Sequence, residues 1–503
     1  MSATLIANLR STAGRTPDQV ALVQGERVVT YGTLWDMARR FAGGLRAAGF
    51  AAGARLALGL ENSAEYVAAY YGTLLAGGIV VPLNVSAKAR DFEFWLRHCE
   101  ASWMVCSAEN RELLSAAALV GTGLRVVTTS GVASGSTAFA DVAGECDGSA
   151  APDAHAPACI LYTSGTTGSP KGVLLSQHNL ASNTDAIVDY LGLTSADCIV
   201  CVLPFYYSYG NSVLHTHVKV GAKIVLDDSL VYPHKVVENI ARSGATGFAG
   251  VPSTFALLLG RVTLKDFDLS SLRYLTQAGG AMSVATTQKL RAALPHARLF
   301  VMYGQTEASA RLTYLPPADL DRKLGSVGVA LQGVDLEVRS ENGERCPALQ
   351  PGTVWTRGPN VMQGYWNNPA ATAATLLDGW LNTGDIGHLD ADGFLFLAGR
   401  RSDMIKTGAH RVHPKDVEEV IEELAEVAEV AVVGVNDEML GQAIKAFVVP
   451  KTAGGVDVMR VKAHCRQRLA NYKIPKYVDL VGSLPKTASG KIRRHELVER
   501  HTE

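Results

Sequence analysis

A chain of 503 residues, 47% hydrophobic and 19% charged, has the length for about three domains and the composition of a soluble globular enzyme with ample core. A formal net charge of -1 removes the electrostatic reason to expect nucleic acid or an anionic membrane as a partner. The start, Met1 to Arg10, lacks a basic segment followed by a long apolar run, so no signal peptide is expected. Eight cysteines scattered along the chain suit reduced thiols in a cytoplasm. Cys198 and Cys201 form a lone C-x-x-C inside an apolar run, which reads as strand rather than as a zinc or redox site.

In chain order, Gln19–Val23 and Glu26–Tyr31 read as a hairpin around Gln24-Gly25, and Thr33 is the expected cap of a helix with apolar spacing at Leu34, Ala38, Phe41 and Leu45. Ala54–Leu60 is a buried strand. The most membrane-like run, Val67–Leu83, is broken by Gly77, Gly78 and Pro82, so a helix over Ser63–Leu75 followed by a strand at Ile79–Leu83 explains it better than a membrane span. Ser134–Pro157 has no hydrophobic period and reads as a surface connection. The strand–helix rhythm then resumes: helices at Asn179–Leu191 and Val236–Arg242, strands at Cys198–Leu203, Ala222–Leu226, Gly247–Val251 and Arg298–Tyr303. Such alternation predicts parallel-rich α/β sheets. From about residue 325 short strands with glycine turns (Val334–Val338, Gly352–Thr356) predict a small β-rich subdomain. After Gly399–Asp403 come a charged helix (Pro414–Leu424), strands at Val430–Val435 and Ala443–Val449, and a helix at Val456–Leu469, a separate α+β unit.

One stretch carries the strongest chemical signal: Thr163-Ser164-Gly165-Thr166-Thr167-Gly168-Ser169-Pro170-Lys171-Gly172. Its glycines let successive N–H groups point at one spot, its hydroxyls add donors, and Lys171 adds a mobile positive charge, so the loop suits a triphosphate. A Walker A loop does not fit, because Lys171 follows Pro170 and Gly172 stands where the magnesium-binding hydroxyl belongs. Cys159–Tyr162 enters as a strand and Val173–Leu175 leaves as another, so strand–loop–strand is expected. The plain alternative is a polar surface turn, which the length and the Pro-Lys-Gly ending oppose.

Three weaker signals follow. Tyr303-Gly304-Gln305-Thr306-Glu307 puts a carboxylate and a hydroxyl just past a buried strand, where open α/β sheets bind ligands. A carboxylate beside a triphosphate needs a cation between them, which makes Glu307 a natural Mg2+ ligand; the lesser alternative is a solvated loop glutamate. Asp385, after the Gly384 turn, is placed to accept ribose hydroxyl protons, or is an ordinary acidic turn. Lys491 lies in the basic loop Pro485–Arg494, which on its own reads as a solvated tail.

Together, and in this order over nearly the whole chain, these segments resemble the adenylate-forming superfamily of acyl-CoA synthetases, freestanding adenylation enzymes and firefly luciferase. The resemblance implies an N-terminal ATP- and acyl-binding domain over residues 1–400, built of two α/β sheet lobes plus the β-rich subdomain, and a small mobile α+β lid over 401–503. It implies that Thr163–Lys171 holds the β- and γ-phosphates, that Gln277-Ala278-Gly279-Gly280-Ala281 lies beside adenine, and that Asp385 and Arg400 meet the ribose. Lys491 matches the lysine used for adenylation, and Arg411 an arginine that meets the nucleotide phosphate. The implied chemistry is attack of a carboxylate on the α-phosphate of ATP, giving acyl-AMP and pyrophosphate, followed by transfer to the thiol of CoA or to the phosphopantetheine of a holo-acyl carrier protein. Mg2+ is implied at Glu307, and Thr163 joins Lys491 and Glu307 among the catalytic residues.

Three positions depart from the family pattern: Ser402 stands at the hinge where Asp or Lys is usual, Ala409 replaces the glycine lining the pantetheine tunnel, and Tyr207 replaces a histidine that gates the acyl site. By resemblance the acyl pocket draws on Tyr207–Asn211, Phe248–Thr254 (with Val251) and Gln277–Gly280. Pro204–Leu214 contains no acid that would pair a substrate ammonium, which argues for an uncharged fatty or aromatic acid over an α-amino acid. A homodimer is compatible with the sequence, which carries no signal for its oligomeric state.

Overall fold

The computed structural model describes residues 4–121, 123–148, 153–163, 170–227, 230–400, 403–407, 410–437, 440–452, 454–469, 471–487 and 490–499. Two large sheets carry the first two thirds of the chain. In the first, six strands run parallel in the order Arg298–Tyr303, Tyr274–Gln277, Gly247–Gly250, Cys198–Cys201, Lys223–Leu226 and Val20–Gln24, with antiparallel strands at both edges. The second has eight strands, including the parallel neighbours Ile79–Pro82, Arg55–Gly59, Ala101–Ser107 and Arg125–Thr129. A third sheet of five short strands takes all its strands from Asp335 to Arg400, and a fourth of five takes all its strands from Ile405 to Leu480. The α/β alternation, the β-rich subdomain and the smaller C-terminal α+β domain are therefore all present.

The sequence pattern explains the layering. The helix Ala64–Leu75 has apolar and small residues all round, and every one but Glu65 is buried, so it is held between the two large sheets. That is the run whose hydrophobicity looked membrane-like; its continuation is the strand Ile79–Pro82, and no described helix is long and apolar enough to cross a membrane. Cys198 and Cys201 sit on one strand but in different core clusters on opposite faces of the sheet, so the C-x-x-C cannot act as a pair.

One expectation is corrected. The helix Tyr31–Ala47 is capped by Thr30, whose hydroxyl accepts the Thr33 amide, and not by Thr33; Tyr31 is already helical and fully buried. The connection Ser134–Pro157 runs over the surface, as expected, and its described part is anchored at two points. Phe139 stacks on Phe41 at 4.9 Å, and the Gly144 amide donates to the Arg40 carbonyl at 3.0 Å.

Just after the phosphate-loop hairpin, one buried residue joins its helix to a distant segment. Asn179 closes a capping box on the helix Gln177–Leu191, its Oδ1 accepting the Ser176 amide at 2.8 Å, while its Nδ2 donates to the carbonyls of Pro359 and Val361 at 2.7 and 2.8 Å. Asn179→Ala loses all of these bonds at a buried site and should lower stability by about 3 kcal/mol in a urea titration, against about 1 kcal/mol for an ordinary cap.

The C-terminal domain is seated on the N-terminal one by few contacts. Lys415 donates to the Leu397 carbonyl at 2.7 Å, and Glu422, on the helix Pro414–Glu422, accepts from Ser283 of the larger domain. Burial, reinforced by Glu418 and Glu419, pushes the Glu422 carboxyl from 4.5 up to about 7. A carboxyl raised on folding stabilises below its ordinary pKa, and that contribution is lost as pH rises through the folded value. The melting temperature of Glu422→Gln minus that of the natural chain should therefore grow between about pH 5 and pH 7 and then level off; a pH-independent difference would contradict this.

Candidate active site

The site grows from strand ends of the first sheet. Arg298–Tyr303 runs into Gly304, where a β-carbon would lie 2.0 Å from the Ala310 carbonyl oxygen, so only glycine lets the chain fold back there. The short 3-10 turn Thr306–Ala308 follows and presents Glu307. Glu307 is held from both ends: its carbonyl accepts the Met362 amide at 2.8 Å and its carboxylate accepts the Tyr365 hydroxyl at 2.9 Å. Thr306 donates to the Ser208 hydroxyl at 3.3 Å, and the buried Gln305 amide nitrogen has no hydrogen-bond partner among the described residues.

Tyr303 crosses to the third sheet. Its hydroxyl donates to Asp385 Oδ2 at 2.5 Å, and Asp385 lies opposite Arg400 in the antiparallel pairing, with 3.4 Å between Oδ1 and Nε. Asp385 is 8% exposed, and burial holds its carboxyl above the usual range against the opposing pull of Arg400 and Tyr303. The Arg400 side chain is 46% exposed, so it stays available to a ligand in the cleft.

Thr163 and Lys171 end the two antiparallel strands that lead into and out of the phosphate loop, so the strand–loop–strand form is present. Ser164, Gly165, Thr166, Thr167 and Gly168 lie outside the described residues. The Lys171 ammonium sits over the Tyr365 ring, 4.8 Å from its centre. Tyr365 thus links the loop lysine through its face to Glu307 through its hydroxyl.

Gln277 ends the strand Tyr274–Gln277 and donates to the Gly280 carbonyl at 2.8 Å, folding Gln277–Ala281 back over the sheet end with Gly280 and Ala281 exposed; Gly279 packs against Val251. Tyr207 accepts from Asn84 at 3.3 Å. Asn211 faces the other way, accepting from Tyr70 of the sandwiched helix at 3.4 Å; it is Tyr209 that reaches the sheet end, bonding Thr276 at 2.8 Å.

The C-terminal domain completes the cleft. A turn closed by the Thr487 amide to the Lys491 carbonyl, 2.7 Å, places Gly490 against Val251 and Ser253, where φ of +78° and a β-carbon 2.6 Å from Ser253 Oγ both demand glycine. Lys491 then enters the field of Arg400, Glu307 and Asp385. Burial and Arg400 lower its pKa, while Glu307 and Asp385 oppose them. Protein surrounds the ammonium, yet the cleft leaves it open to solvent, which moderates the burial effect. Arg411 lies on the strand His410–Val412, paired with Lys406; Ser402 and Ala409 lie outside the described residues. Tyr365 is a contact that no sequence motif singled out; Ser208 and Tyr209 lie within the expected Tyr207–Asn211 segment.

Residues 9–366 match the AMP-binding enzyme family and residues 416–491 the AMP-binding enzyme C-terminal domain. The chain is 32% identical to a long-chain-fatty-acid–CoA ligase of Bacillus subtilis (strain 168) over 99% of its own length and 95% of the relative's. It superposes on ATP-bound MatB from Rhodopseudomonas palustris with a TM-score of 0.91 at 31% identity, covering 100% of this chain and 99% of the other. It superposes on the anthranilate CoA ligase AuaEII in complex with anthranoyl-AMP with a TM-score of 0.93 at 27% identity, covering 100% and 98%. Two family matches that together cover most of the chain, a curated relative that is a CoA ligase, and solved structures with ATP or, in a CoA ligase, an acyl-adenylate place the chain in the AMP-binding enzyme family, as an AMP-forming acid–thiol ligase of the acyl-CoA ligase type.

Proposed function

We propose that this chain activates an acid with an alkyl (fatty) or aromatic body as its acyl-adenylate and transfers the acyl group to CoA, in the cytoplasm. The carrying observation is the convergence of Lys491 from the small domain with Glu307, Asp385 and Arg400 from the large one. An acid oxygen attacks the α-phosphorus of ATP, the bond to the bridging oxygen breaks, and pyrophosphate leaves. Negative charge builds on the non-bridging oxygens, and a lysine ammonium held between the carboxylate and the α-phosphate stabilises it. The loop from Thr163 to Lys171 grips the leaving pyrophosphate. Asp385, with one oxygen committed to Tyr303 and the other beside Arg400, is poised for the ribose hydroxyls, and Gln277–Ala281 for the adenine side.

The donor set fits Mg2+: a single carboxylate, Glu307, held in place by Tyr365, matches an ion that takes one or two carboxylates plus phosphate oxygens. Bound there, the ion supplies charge neutralisation on the departing phosphates. In the second step the CoA thiol attacks the acyl carbon and AMP leaves. The relatives' names are those of CoA ligases, which favours CoA over a carrier protein as acceptor. We place the domain division at 400/401, where the third sheet ends, and assign to it the turn of the small domain that withdraws Lys491 between the steps.

The direct test is acid-dependent exchange of pyrophosphate into ATP over a panel of fatty, aromatic and amino acids, followed by thioester formation with CoA. Silence across the panel would overturn the reading. Lys491→Ala should reduce adenylate formation about 100-fold or more while leaving thioester formation from supplied acyl-AMP within a few-fold; equal loss in both would contradict a lysine serving the first step. Tyr365→Phe keeps the ring under Lys171 but removes the bond to Glu307, so the Mg2+ concentration for half-maximal activity should rise about 10-fold or more, the lower end of the worth of one hydrogen bond to a charged group.

A further inference from the structure

Lys491 reaches the cleft from a short turn, and its place is set by how that turn is held. The turn has two antiparallel legs. Lys486 bridges Ile492, the Arg493 amide donates to the Pro485 carbonyl at 2.9 Å, and the Lys491 amide donates to Thr487 Oγ1 at 3.1 Å. Buried Leu484 on one leg and half-buried Ile492 on the other pack with Ala431, Val433 and Phe447 of the small domain's sheet. Apolar burial is non-directional, so these contacts hold the turn against the sheet without fixing where it stops along the strand. That constraint comes from polar ties.

The first leg has Lys486, which donates to Glu429 at 2.6 Å between part-exposed side chains. The second has Arg494, three residues after Lys491. Its guanidinium donates to both oxygens of Glu418, at 2.6 and 3.2 Å, and to the Val432 carbonyl at 3.1 Å. Glu418 is 9% exposed, and its Oε1 also accepts the Val432 amide at 2.7 Å. Val432 lies on Val427–Asp437, an edge strand of the fourth sheet, so the pair takes up both backbone groups that the edge leaves open there. A two-pronged guanidinium–carboxylate pair fixes geometry as well as adding energy. Arg494 Nε also lies 3.6 Å from Asp403, at the start of the small domain.

Glu418 belongs to the helix Pro414–Glu422, which touches the large domain through Lys415 at the Leu397 carbonyl and Glu422 at Ser283. A polar route from that contact to Lys491 thus runs through Glu418 and Arg494 and then three residues of chain, about 10 Å at full extension. We infer that Arg494 is a positioning residue for adenylate formation: it clamps the turn to the docking helix and so sets where the Lys491 ammonium stands when the small domain is seated. This rests on the reading of Lys491 as the ammonium of the first step. The thioester step takes place with that lysine withdrawn and does not use what the clamp positions.

The test measures both half-reactions in the natural chain, Arg494→Lys, Arg494→Met and Glu418→Gln, with the acid that the natural chain exchanges best. Arg494→Met should lower kcat for pyrophosphate exchange about 10- to 100-fold, the cost of misplacing a catalytic group by about 1 Å, with KM for ATP little changed. Thioester formation from supplied acyl-AMP and CoA should stay within a few-fold. Arg494→Lys, which keeps the charge but not the fork, and Glu418→Gln should fall between. In a Lys491→Ala background, Arg494→Met should cost exchange nothing further, because a residue that acts through the lysine has nothing left to position. Equal loss in both half-reactions, an additive loss in the double variant, or unchanged exchange in Arg494→Met would each overturn the inference and leave Arg494 a contact of the fold. If Arg494→Met does not fold, the split between half-reactions in Arg494→Lys and Glu418→Gln decides. Silence of the natural chain in exchange would overturn the adenylation reading and this one with it, whereas an active natural chain with no split in the variants removes only the role of Arg494.

Discussion

Everything in this molecule turns on bringing one ammonium, on a domain of about a hundred residues, to a point defined by carboxylates on a much larger one. Lys491 shares its surroundings with Arg400, a like charge, and with Glu307 and Asp385, its opposites. Neither side of that arrangement is at rest alone. Without the lysine the two carboxylates face a single half-exposed guanidinium; without the carboxylates the lysine would be drawn into a cleft beside another cation. The rest of the site holds these charges in place. Tyr303 pins Asp385 from the first sheet, Tyr365 pins Glu307 from the segment after the third sheet's second strand, and Gly304 allows the tight return that puts both tyrosines within reach.

Two aromatic residues therefore do what a metal or a disulfide does elsewhere: they couple separate sheets through the polar end of an otherwise buried ring. The Tyr303 hydroxyl joins the first sheet to the third. Tyr365 pairs with the phosphate-loop hairpin in the second sheet and reaches Glu307 beyond the first. Relative motion of the sheets would break these bonds.

Most of the architecture was legible because it rests on local pattern. Strand–helix alternation, the strand–loop–strand form around Thr163–Lys171, and the interruption of Val67–Leu83 by glycine and proline all depend on neighbours in sequence. The cap at Thr30 was misplaced by one turn because Thr30 and Thr33 offer the same hydroxyl, and only the burial of Tyr31 decides between them. The site was legible where a motif surrounds the residue, as at Glu307, and illegible where a partner comes from far away. Tyr365 lies 58 residues from the carboxylate it holds, and nothing near it in sequence points there. Lys491 read as a solvated basic tail until the company of the other motifs gave it a place.

The seat of Gly490 on Val251 and Ser253 has a kinetic meaning. A residue without a side chain can dock closely, but it offers almost no apolar area and no hydrogen-bonding group beyond its backbone, so its grip is weak. Under the proposed function, delivery of Lys491 is a fit without an anchor: shape selects the position, and a polyanion bound in the cleft would supply the residence time. A wall held chiefly by its cargo is released when the cargo's charge departs.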